Sequence, residues 1–168
     1  MFPICLYFRA LTAGRRDTKN LRTYSWEPLI EKVHGLERRR IMPEVLLATG
    51  RADLLGPFVD GLAESDDVHV RVVGSAADAL EKARSNPPQL VIIDRALPDM
   101  QALELVVALL KINAMIHTAV VSSLSAEAFH EVSEGLGVMP PLPDPPGPED
   151  ARQVIDRLRQ VLGSSDRA

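Results

Sequence analysis

The chain has 168 residues, of which 46% are hydrophobic and 25% charged, a balance that fits one domain with a real core plus an extension and excludes a fibrous or wholly disordered chain. No apolar run approaches the about 18–20 residues needed to span a bilayer, and a single cysteine, Cys5, excludes an internal disulfide framework and suits a reducing cytoplasm. The net charge of −4 conceals an asymmetry: residues 1–41 carry +5 and residues 42–168 carry −9, so the acidic part has no basic stripe with which to follow a phosphate backbone.

Residues 1–8 are apolar but lack a preceding basic region and a following small-residue cleavage site, which argues against a secretory signal. Residues 1–41 read as a basic extension, disordered or partly helical, or as sequence upstream of a true start at Met42. Within it, residues 25–40 carry Ser25 as an N-cap, Pro28 in the first turn and Leu29, Ile30, Val33 and Leu36 on one helical face. From Met42 the pattern becomes regular. Residues 44–48 predict a buried strand ended by Thr49-Gly50. Residues 53–64 place Leu54, Leu55, Phe58, Val59 and Leu62 at helical spacing.

A second strand is expected over 68–73. It is followed by a helix that starts at the capping pair Ser75 and Asp78, turns Ala79, Leu80 and Ala83 inward, and stops at Asn86-Pro87-Pro88. Residues 90–93 form an unbroken aliphatic run ending at Asp94, the pattern of a central parallel strand covered on both faces. Residues 101–111 predict a helix with Leu103, Val106, Val107 and Leu110 apolar. Residues 116–121 predict a fourth strand ending in Ser122-Ser123, and 126–134 a short helix. Residues 135–142 give a weak fifth strand, since they contain Pro140 and Pro141. Pro148-Glu149-Asp150 opens a last helix whose stripe is Ala151, Val154, Ile155, Leu158, Val161 and Leu162, capped by Gly163. Five strands alternating with five helices predict an α/β fold with a doubly wound five-stranded parallel sheet over 43–163.

The segment Asp94-x-x-Leu97-Pro98-Asp99-Met100-x-x-Leu103-Glu104, after a strand and before a helix, resembles the phosphoacceptor motif of the receiver domains of two-component response regulators. The resemblance covers about residues 43–162 and implies a flavodoxin-like fold. It also implies that Asp94 stands where the family takes a phosphoryl group from a histidine kinase. It makes Ser122 the hydroxyl that reads that group and Met139 the occupant of the aromatic switch position. Two features depart from the family. Its two metal-holding acids at the end of the first strand are replaced by Thr49 and Gly50. Its lysine–proline pair after the fifth strand reads Leu142-Pro143, or Asp144-Pro145 in a shifted register, and the last lysine of the chain is Lys111.

Mg²⁺ needs carboxylates as well as phosphate oxygens, so its binding is expected to be weak or lost. Each missing electrostatic contact of this type costs a few kcal/mol, about 10²–10³ in rate. The chain therefore reads as a degenerate receiver, not an enzyme. It would signal by contact with a protein partner, a histidine kinase or another regulator, or by self-association, through the face of the fourth helix, fifth strand and last helix. With only residues 163–168 after the last predicted helix, no output domain is expected.

The alternatives are a working acceptor at Asp94, with Asp53 contributing if its loop bends, and a nucleotide- or flavin-binding enzyme of the same architecture. Against the second, residues 48–56 match neither G-x-G-x-x-G nor a phosphate-cradling loop, and the second strand ends at Gly74 where a ribose-binding acid is expected. His34, His69, His117 and His130 lack metal-ligand spacing. Six prolines within 140–148 read as a stiff connection that closes the site, or as an extended docking segment. The resemblance places a cis bond before the matching proline, which makes Leu142-Pro143 the expected one.

Overall fold

The structure, a computed structural model, describes residues 42–165, so the extension over 1–41, its predicted helix and His34 lie outside the described residues. Four parallel strands, β1 (Glu44–Ala48), β2 (His69–Val73), β3 (Leu90–Ile93) and β4 (His117–Val120), form a sheet in the order β2-β1-β3-β4. The helices are α1 (Gly56–Ala63), preceded by a 3₁₀ turn at Ala52–Leu55, then α2 (Ala76–Ser85), α3 (Ala102–Ile112), α4 (Ala126–Ser133) and α5 (Pro148–Ser165). Strand β1 pairs with both β2 and β3, which puts the ends of β1 and β3 side by side: Ala48 lies opposite Ile93, and the Asp94 N–H donates to the Ala48 carbonyl at 2.9 Å. That pairing places Thr49 beside Asp94.

Alternation along each strand divides the core in two. Val45, Leu47, Leu90 and Ile92 face α1 and α5, where Phe58, Leu62, Val154, Ile155 and Leu158 meet them. Leu46, Ala48, Val91 and Ile93 face α2 and α3 with Ala79, Ala83, Leu105, Val106 and Leu109. All four side chains of β3 are fully buried, as the unbroken apolar run requires.

The sheet has four strands where five are expected. Residues 139–142 run along β4 and keep part of a parallel ladder. The Met139 N–H donates to the Thr118 carbonyl at 2.8 Å, the Leu142 N–H to the Val120 carbonyl at 2.9 Å, and the Ser122 N–H to the Leu142 carbonyl at 2.9 Å. Between them Pro140 and Pro141 have no N–H to give, so only one bridge, Val121 to Leu142, survives.

Helix faces differ from expectation where a helix begins or ends irregularly. The 3₁₀ turn tightens the entry to α1 and turns Leu54 outward, 67% exposed. In α3 the buried positions are Leu105, Val106 and Leu109, with Val107 exposed and Leu103 and Leu110 half-buried. Helix α5 continues through Gly163 to Ser165, so that glycine is not its cap, and Val161 is exposed.

Helices α1 and α5 touch at Gly61. A Cβ there would lie 2.9 Å from the Pro148 Cα and 3.1 Å from the Ala151 Cβ, so this crossing admits only hydrogen. Gly61→Val is expected to force the two helices apart and destabilise the fold by about 1–3 kcal/mol. A lowered urea midpoint with an unchanged m-value would show it.

Candidate functional site

The site is assembled at the carboxyl ends of β1 and β3. Asp94 is completely buried, and a buried carboxylate is costly unless charge and hydrogen bonds compensate it. Arg51 supplies both. Its Nε donates to Asp94 Oδ2 at 2.9 Å and its Nη2 to Oδ1 at 2.8 Å, a bidentate pair. The Thr49 hydroxyl donates to Oδ2 at 2.7 Å, and the Ala96 N–H provides a further backbone bond. Four donors thus meet a group with about four lone-pair sites. Burial pushes the Asp94 pKa up, but the hydrogen bonds from Arg51 and Thr49 and the guanidinium charge prevail, holding the carboxyl below its usual range. The Arg51 pKa is raised in turn, by hydrogen bonds to Asp94 and Asp144.

The first loop is shaped to deliver this arginine. The Thr49 N–H continues the β1–β2 ladder by donating to the Val73 carbonyl at 3.0 Å, and the Arg51 N–H donates to Thr49 Oγ1 at 3.0 Å. Between them, Gly50 packs so close to the loop after β3 that a Cβ would stand 2.6 Å from the Ala96 carbonyl oxygen.

The last loop brings a second carboxylate. Asp144 Oδ1 accepts from Arg51 Nη2 at 2.5 Å, and Arg95 Nε contacts Asp144 Oδ2. Leu142, at the family's lysine position by ungapped counting, is instead buried in the core and fixed by its ladder bonds, while the next residue, Pro143, is exposed. The side chain that reaches the site is Asp144, and the cis bond is Asp144–Pro145 rather than Leu142–Pro143.

Several other sequence-predicted residues are not drawn to Asp94. The Ser122 hydroxyl accepts the Leu124 N–H at 3.2 Å, and no hydrogen bond joins it to Asp94. Met139 is buried against the α1–α5 layer of the core. Asp53 lies exposed on the 3₁₀ turn. Asp99, in the same segment as Asp94, caps α2: its carboxylate accepts the Ala76 and Ala77 N–H groups, both at 2.9 Å, which lowers its pKa. Anionic caps at helix N-termini are favourable, and this one ties the loop after β3 to a neighbouring helix.

Mg²⁺ does not fit these side chains as they stand. Thr49 offers a hydroxyl committed to Asp94, Gly50 offers none, and both carboxylates are already paired, Asp94 with Arg51 and Asp144 with Arg51 and Arg95. Among the described residues no group of three or more His, Cys, Asp or Glu side chains converges. No helix among them is long and apolar enough to cross a membrane.

No protein-family model matches the chain, and no curated protein matches it. Solved structures do. The receiver domain of AraT, a response regulator from Geobacillus stearothermophilus, superposes with a TM-score of 0.65 at 19% identity, covering 74% of this chain and 98% of that one. The chemotaxis response regulator CheY4 of Vibrio cholerae gives a TM-score of 0.62 at 18% identity, covering 70% and 98%. A CheY-like receiver domain protein from Methanospirillum hungatei gives 0.62 at 18%, covering 74% and 97%. The described chain has the receiver fold, a flavodoxin-like α/β architecture, here with four strands in the sheet.

Two measurements test the site. A folded-state pKa below that of the unfolded chain means that Asp94 stabilises the fold fully above about pH 3.9 and loses that contribution as pH falls through the lower folded value. In urea unfolding below about pH 4, Asp94→Asn is expected to flatten the acid decline of the midpoint. Gly50→Ala is expected to cost about 1–3 kcal/mol through its collision with the Ala96 carbonyl. Equal midpoints for Gly50→Ala and the parent would show that this approach is looser than described.

Proposed function

We propose that this chain is a receiver-like signalling module that acts through protein–protein contact, with phosphoryl transfer to Asp94 suppressed. The observation that carries the reading is the commitment of the Asp94 carboxylate to Arg51, Thr49 and the Ala96 N–H. An acceptor aspartate attacks phosphorus with a carboxylate lone pair, and here those lone pairs are already engaged. The transferring group also needs cations around its equatorial oxygens. The cations at this site are both engaged, Arg51 with Asp94 and Asp144 and Arg95 with Asp144. Asp144 itself repels an incoming phosphate.

In this reading Mg²⁺ is not a required cofactor, the chain is not an enzyme, and its place is the cytoplasm. The output is delivered by contact with a histidine kinase or another regulator, or with a second copy. By resemblance, the contacting surface is the face of α4, residues 139–142 and α5. That face is continuous in sequence with the site through the loop carrying Asp144.

The test is intact mass after incubation with a small-molecule phosphodonor and Mg²⁺, with Asp94→Ala as control. No added phosphoryl group is expected on folded parent protein. An added group that disappears in the control would replace this reading with that of a working acceptor.

A further inference from the structure

Asp94 Oδ1 and Asp144 Oδ1 lie 2.8 and 2.5 Å from one and the same atom, Arg51 Nη2. The two aspartates come from opposite sides of the site, one at the end of β3 and the other in the loop that leads into α5. Two carboxylates converging on one point is the arrangement that oxygen-liganded divalent cations occupy. Here a tethered guanidinium fills it. We propose that Arg51 is a built-in substitute for the divalent cation, a plug that holds the loop over 142–147 against the acceptor strand and keeps the molecule in one state without ligand or modification. This rests on the reading of the site as one that does not use phosphorylation.

The plug has the features such a role needs. Its backbone is anchored by the bond to Thr49 Oγ1, and the absence of a side chain at Gly50 lets the loop close onto Ala96. Its side chain is about one-fifth exposed, so the charge sits at the mouth of the site rather than deep in the core. Arg95 holds the outer side of Asp144, leaving the inner oxygen for Arg51. The tie reaches the sheet, because the segment carrying Asp144 begins at Leu142, whose N–H and carbonyl hold it to Val120 and Ser122. An arginine, unlike a bound ion, cannot dissociate.

Removing the plug should uncover a cation site. In the full chain, Arg51→Met is expected to bind Mn²⁺, read by loss of the free-ion electron paramagnetic resonance signal. Its dissociation constant should be about 10⁻⁴–10⁻³ M, the range of weak carboxylate sites. Mg²⁺ should compete, Asp144→Asn on the same background should abolish binding, and the parent should bind none. Without metal, amide exchange at Leu142 and Ser122 is expected to quicken about tenfold or more in Arg51→Met, and Mn²⁺ or Mg²⁺ should restore its protection.

Folded Arg51→Met that binds no Mn²⁺ and keeps parental exchange rates overturns the proposal, as does equal Mn²⁺ binding by the parent. Should Arg51→Met fail to fold, Asp144→Asn in the parent background decides instead. That change cuts only one arm of the bridge, so faster exchange at Leu142 and Ser122 is expected, and unchanged exchange overturns the plug. No phosphodonor enters these assays, so they fail independently of the phosphorylation test.

Discussion

The structure turns on a buried carboxylate that must be compensated. Asp94 ends the most buried strand of the sheet and is itself without solvent contact. An ionised group there is tolerated only with a counter-charge and filled hydrogen-bonding capacity. Arg51, Thr49 and the Ala96 backbone meet that demand, and the surrounding loops follow from it. Gly50 is bare because the first loop must close against the loop after β3. Asp144 is turned inward because Arg51 has donor capacity left, and with Arg95 the four side chains form a closed set of two positive and two negative charges.

Burial alone does not make such a network a large source of stability. Replacing a buried ion pair by well-packed apolar side chains is often neutral or stabilising, whereas removing one partner is strongly destabilising. The value of the arrangement is therefore specificity. It fixes three loops that belong to different strands, at the end of the sheet where open α/β folds keep their ligands. This chain fills that end of the sheet with its own side chains.

Much of the fold was legible in the sequence, and the reasons are local. Leu90–Ile93 is a short, largely β-branched apolar run after Pro87-Pro88, as a central strand requires, and Ser75 with Asp78 marks the start of α2. The errors have physical causes as well. Pro140 and Pro141 remove donors that a fifth strand needs, which periodicity alone does not weigh heavily enough. A regular helix would turn Leu54 inward, whereas the chain enters α1 through a 3₁₀ turn.

The site was less legible. Its losses, at Thr49 and Gly50, could be read by position, but the compensation could not. Arg51 lies next to Thr49 and Gly50, in a loop whose sequence matches no phosphate cradle. Chain position alone does not say which cation pairs with Asp94, although this one stands two residues beyond Thr49. Asp144 was visible only in the shifted register, and choosing it required the ladder bonds that fix Leu142. A side chain's direction is a tertiary fact.

The most direct test of this account is a crystal structure of the full chain grown with magnesium salt at near-neutral pH. The account predicts the Arg51 guanidinium paired with Asp94 and bridged to Asp144, with no ion between the two carboxylates. A magnesium ion held by Asp94 and Asp144, with Arg51 swung out to solvent, would contradict it.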